Sequence, residues 1–107
     1  MEQILCVSNS YEKKYYLDPK FQGLPEAVRQ ELQILCVLFT EEVGGILTVS
    51  FEEDGSIYLM PMAEEEDILY DEIGSALKIG QMRRDHRELF ESLELYYQLF
   101  IKKEEEA

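Results

Sequence analysis

One stretch constrains this chain more than any other. From Leu24 to Val43 apolar residues recur at helical spacing, Gly44-Gly45 interrupts them, and Ile46 to Met62 then alternates like a β-hairpin. Leu24, Val28, Leu32, Leu35 and Phe39 set the helical stripe, and Ala27, Cys36, Leu38 and Val43 widen it. Pro25 suits a first helical position, where its missing N–H costs nothing. Glu26 falls in the first turn, where the helix dipole favours an anion. Gly44 can take the positive φ that stops a helix. The run Ile34 to Phe39 is apolar throughout and alone would suit a buried strand; the proline start and the length decide for helix.

Glu26, Arg29, Gln30, Gln33, Thr40 and Glu41 form the opposing polar face. Val37 interrupts that face, and Glu31 and Glu42 interrupt the apolar one. So wide an apolar surface predicts a helix covered on more than one side. The fold expected is α+β: a small antiparallel sheet with three helices, the central helix buried. In the hairpin, Leu47, Val49 and Phe51 are the expected core face. Glu52 to Ser56 make the turn. Pro61 cannot donate to a ladder and marks a strand end or a sheet edge.

The flanks add further elements. Two short strands, Gln3 to Val7 and Lys13 to Leu17, are expected around the turn residues Ser8-Asn9-Ser10, with an N-terminal helix as the competitor because Ile4, Tyr11 and Tyr15 also fit one helical face. A second helix is expected from a cap at Glu66 or Asp67. Leu69, Tyr70, Ile73, Ala76 and Leu77 share one face of it, opposed by Asp71, Glu72, Ser75 and Lys78. Gly74 inside it fits either close approach of another backbone or an unoptimised surface site. Gly80 can end it, and Asp85 with Glu88 resembles the capping box of a third helix. That helix presents Leu89, Phe90, Leu93, Tyr96, Tyr97, Phe100 and Ile101. Gly80 is the sole breaker between the two, so one bent helix is the competing possibility. Residues 104–107 read as a tail.

A chain of 107 residues makes one domain. Its net charge of −13 excludes more than its length does. Of ten Lys and Arg only Arg29 lies between Phe21 and Leu77, a segment holding 13 of the 23 acidic residues. Nucleic acid and anionic membranes demand clustered cations, so neither is an expected partner. No run is long enough to span a bilayer, and Met1-Glu2-Gln3 lacks a basic leader, which points to the cytoplasm. Cys6 and Cys36 lie in apolar runs and are expected as free thiols in the core.

No catalytic, metal or cofactor motif stands out. Glu52-Glu53-Asp54-Gly55-Ser56 lacks the spaced ligands and closing Glu of a calcium loop. His86, the sole histidine, has Arg83 where a helical di-metal site would need Glu. Arg83, Arg84 and Arg87 form a basic patch that must seek carboxylates, within the chain or on another subunit. Glu42, at the dipole's negative end, is expected to be partnered by a cation, these arginines first among the candidates. Val37, with Ile34 beside it, and Leu95, with Leu99 beside it, extend the apolar surface beyond what one domain covers.

The blocks Leu32-Gln33-Ile34-Leu35-Cys36-Val37-Leu38-Phe39-Thr40-Glu41-Glu42-Val43-Gly44-Gly45-Ile46-Leu47 and Leu69-Tyr70-Asp71-Glu72-Ile73-Gly74-Ser75-Ala76-Leu77 resemble a family of short, acidic, uncharacterised proteins from Firmicutes. The resemblance spans nearly the whole chain and implies a stand-alone cytosolic domain. It implies no activity, cofactor or site residue.

The expectation is therefore a non-enzymatic protein-interaction module without a cofactor. Its expected partner is protein, with a second copy in a homodimer as one candidate, through Val37, Glu42, Arg83, Arg84, Arg87 and Leu95. The competing expectations are a small-molecule or enzymatic pocket near Glu42 and the tyrosines, and an acidic decoy for a basic protein.

Overall fold

The computed structural model describes residues 3–102. The tail expected at 104–107 lies outside them. Strands β1 (Gln3–Asn9), β2 (Lys14–Leu17), β3 (Ile46–Phe51) and β4 (Ile57–Met62) form one antiparallel sheet in the order β2-β1-β3-β4. Helix α1 (Glu26–Val43) connects β2 to β3; α2 (Glu72–Asp85) and α3 (Arg87–Tyr96) follow β4. This is the expected α+β class. Pro61 sits in β4, an edge strand, where no further strand needs its missing donor.

The strand alternation decides which face is covered. Leu17, Cys6, Val49 and Leu59 stand opposite one another across the sheet and join the core. Tyr16, Val7, Thr48 and Met60 form the adjacent row on the other face, which is open. Against the covered face α1 contributes Leu32, Cys36 and Phe39, and α3 contributes Leu89, Phe90 and Leu93. The chain then widens into one π-helical turn, Tyr97–Ile101, whose Tyr97 ring lies 4.7 Å from that of Phe51.

Helix α1 is rotated from the expected stripe. Thr40, expected outward, is buried, while Leu38 is 56% exposed. The Thr40 hydroxyl shares a 2.8 Å hydrogen bond with Ser8 and reaches the carbonyls of Cys36 and Val37, so its burial leaves nothing unsatisfied. Helices α2 and α3 are separate, and the break falls at His86, not at Gly80.

Cys6 and Cys36 are free and buried, their sulfurs 4.0 Å apart. The Cys6 contact and burial push the Cys36 thiol well above its ordinary value of 9.0. Burial, then the Cys6 thiol, pushes the Tyr15 hydroxyl up as well. The folded state thus holds protons that the unfolded chain releases. Their contribution to stability is complete below the ordinary thiol value and is lost as pH rises above it. Urea titrations should show unfolding free energy falling above about pH 9 by up to about 1.4 kcal/mol per pH unit per group. A flat profile to about pH 10.5 would contradict this assignment.

Candidate interaction surface

The surface begins with an acidic run that is held in place. The Tyr11 hydroxyl donates to Asp67 at 2.7 Å and accepts from the Glu64 backbone N–H at 3.0 Å. Between them the chain makes tight turns rather than helix. Helix α2 starts later than expected because Asp71, not Glu66 or Asp67, caps it by accepting from the Gly74 N–H at 2.9 Å. The same carboxylate is what a Cβ at Gly74 would meet first, since it would collide with Asp71.

Helix α2 is mounted with its apolar side outward. Ser75 and Met82 are buried, and Lys78 and Ile79 are half-buried. Ser75 shares a 2.6 Å hydrogen bond with the Tyr70 hydroxyl. The Lys78 ammonium lies 2.7 Å from the Glu42 carboxylate. Ile73 and Leu77 point away from the core, and with Ile68 and Leu69 just before the helix they are between 70% and 91% exposed. The face that groups Leu69, Ile73 and Leu77 is the open one; on the opposite side Met82 and Ile79 pack on the core, and Ser75 and Lys78 make the polar contacts. Burying each of these four side chains would contribute about 1.5–3 kcal/mol, which the fold forgoes.

Helix α1 also carries exposed apolar side chains. Leu38 lines a groove of about 200 Å³ together with Lys78 and Gln81 of α2, and Ile34, one turn earlier on α1, is also more than half exposed.

The residues singled out from sequence do not form one site. Val37 is half-buried in a cleft of about 670 Å³ between α1 and the β1–β2 loop, among Ser8, Lys13, Tyr15 and Gln33. Leu95 is exposed on α3, and no α3 residue lines that cleft. Glu42 pairs with Lys78 instead of an arginine, since α2 lies beside α1 and brings Lys78 within reach. Arg83 turns to the sheet and donates to the Ile57 carbonyl at 2.9 Å, while Glu94 accepts from the Ile57 N–H at 2.8 Å. Arg84 and Arg87 are exposed. No tyrosine lines the groove at Glu42. His86 lies at the α2–α3 break, its Nδ1 3.7 Å from Glu31. Among the described residues no group of acidic, histidine or cysteine side chains could hold a metal ion.

The sequence did carry the signal of this surface. Leu69, Ile73 and Leu77 were grouped on one face, but nothing local says whether such a face meets the chain's own core or another molecule.

A sequence model described as a family of unknown function, DUF6145, matches residues 2–105. The chain belongs to that family. Membership of DUF6145 covers the strands, the helices and the outward face of α2 alike. It assigns them no activity. No match was found among curated proteins or among solved structures.

Proposed function

We propose that this chain is a non-enzymatic protein-interaction module that works through the outward face of α2. The observation behind the reading is the exposed aliphatic side of α2: Ile73 and Leu77 face solvent, while Met82, Ile79 and Ser75 face the domain. A protein surface is the partner suited to it, because its centre is apolar. The acidic excess opposes nucleic acid and anionic membrane. Among the described residues no helix is long and apolar enough to cross a membrane. Two buried reduced thiols suit the cytoplasm, where we place the protein.

The test is native gel filtration of a gentle extract, with the chain at its natural level. The chain should elute in a species larger than a single copy. Ile73→Asp/Leu77→Asp should return it to the position of one chain. Wild-type protein eluting as a single chain would overturn the reading, as would a double variant that still co-elutes with the larger species.

A further inference from the structure

We propose that the open edge of β2, with the groove between it and α1, takes up an extended segment of a partner protein as an added strand. This surface is separate from the α2 face and stands or falls independently of it.

The two edges of the sheet are built differently. In an antiparallel ladder the backbone groups of alternate residues point to opposite sides. Next to β4 the Glu52 N–H donates to the Ser56 carbonyl at 2.9 Å. With the β3–β4 register, this turns the backbone groups of Tyr58 and Met60 toward β3 and those of Ile57, Leu59 and Pro61 outward. The outward groups of Ile57 are occupied: Glu94 accepts from its N–H at 2.8 Å, and Arg83 donates to its carbonyl at 2.9 Å. Pro61 has no N–H to offer. The β4 edge is thus closed at both ends, as sheet edges commonly are.

The β2 edge lacks such a closure. The Asp18 N–H donates to the Leu5 carbonyl at 2.9 Å. By the same alternation Lys14 and Tyr16 bond toward β1, and the N–H and C=O of Tyr15 and Leu17 point away from the sheet. Among the described residues no side chain bonds to these groups. Two donors and two acceptors, spaced two residues apart, are what an incoming strand pairs with.

The groove supplies the side-chain contacts. Helix α1 packs over β1 and β3 and leaves the inner side of β2 partly uncovered. Tyr15 and Leu17 therefore stay half-buried although they stand on the core face. Two adjoining hollows of about 670 Å³ and about 420 Å³ run between β2 and α1 and share Tyr15 and Gln33. Val37, which interrupts the polar face of α1, gives the larger hollow an apolar wall. A strand added to β2 would direct every second side chain into this groove. Backbone bonds to the edge then give affinity, and the hollows give specificity.

Charge narrows the partner further. Lys13 and Lys14 open the strand, and neither forms an ion pair among the described residues, although the chain has 23 acidic residues. Glu41 lines the same hollow without bonding to either. The two ammonium groups suit a carboxylate on the incoming segment. The occupant is thus an extended segment, apolar at alternate positions, with an acidic side chain near one end. β2 itself has four residues, too short a template for indiscriminate pairing, so the groove contacts must select the segment.

The probe is a library of random short peptides displayed on phage and selected against the purified full chain. Selection should enrich peptides of that pattern. A selected peptide, once synthesised, should slow amide hydrogen exchange at Tyr15 and Leu17 by at least about tenfold. Lys14 and Tyr16, already bonded to β1, should change far less. Tyr15→Pro removes an outward donor and leaves the β1 ladder its bonds. Val37→Arg fills the groove from α1 and leaves β2 untouched, so it keeps the test decisive if Tyr15→Pro fails to fold. Each folded variant should bind the peptide at least about tenfold more weakly. No enriched peptide, protection that misses Tyr15 and Leu17, or undiminished binding by either folded variant would overturn the proposal.

Discussion

Phe51→Ala is expected to lower the unfolding free energy by about 3–5 kcal/mol. Phe51 ends β3 with no exposed surface, and its ring lies 5.4 Å from Phe21 and 4.7 Å from Tyr97. Those three rings tie the 3-10 turn Pro19–Phe21, the sheet and the π-helical turn into one core. Removing the middle ring deletes its buried area and opens a cavity that neighbours in three elements cannot close together. A domain of this size has about 5–15 kcal/mol in total, so the loss is a large fraction. The chain has no tryptophan, so far-UV circular dichroism through a urea titration is the suitable readout. Leu95→Ala is the matched control. Its side chain is exposed on α3, and the change should stay within about 0.5 kcal/mol. Equal losses in the two variants would contradict the core described here.

The second large effect is expected at Gly45→Ala. Gly44 and Gly45 both have positive φ, at 79° and 73°, which costs an L-residue about 1–3 kcal/mol. Their surroundings differ. A Cβ on Gly44 meets nothing within 4 Å. A Cβ on Gly45 collides with the Met62 carbonyl of the neighbouring strand and presses on the Tyr70 ring at 3.3 Å. The collision falls where β3 and β4 begin to pair, at Ile46 and Met62. Gly44→Ala should therefore lose only the strain, and Gly45→Ala the strain and part of the β4 register. Urea midpoints of the two variants measure the difference directly. A Gly45→Ala midpoint equal to or above that of Gly44→Ala would contradict this account.

The β3–β4 hairpin was legible because strand alternation has a period of two, and a slip by one residue would expose every core side chain; β1 and β2 were not, because Ile4, Tyr11 and Tyr15 also fit a helical face. Leu47, Val49 and Phe51 needed no tertiary information, and neither did the glycine stop after α1. Thr40 was not legible, since its burial depends on Ser8, thirty-two residues away, supplying a hydroxyl. Nor was the true start of α2: both Asp67 and Asp71 are competent caps by residue type, and the Tyr11 hydroxyl engages Asp67. The orientation of α2 is the deepest case. Its apolar stripe was plain, and a stripe normally seeks the core. Met82 and Ile79 pack on the core from the other side instead, where Ser75 bonds Tyr70 and Lys78 reaches Glu42. The arginine patch shows the same limit. It was visible as a cluster, yet Arg83 turns to the Ile57 carbonyl while Arg84 and Arg87 remain exposed, and the spacing alone does not divide them.

The central claim is that the outward face of α2 touches another protein chain. Site-directed photo-crosslinking in the living cell tests it most directly. A photoreactive residue at position 73 should give a discrete adduct of higher mass on irradiation. The same residue at position 95, on the exposed side of α3, should give none. No adduct from position 73 in the folded protein, or equal adducts from both positions, would contradict the account.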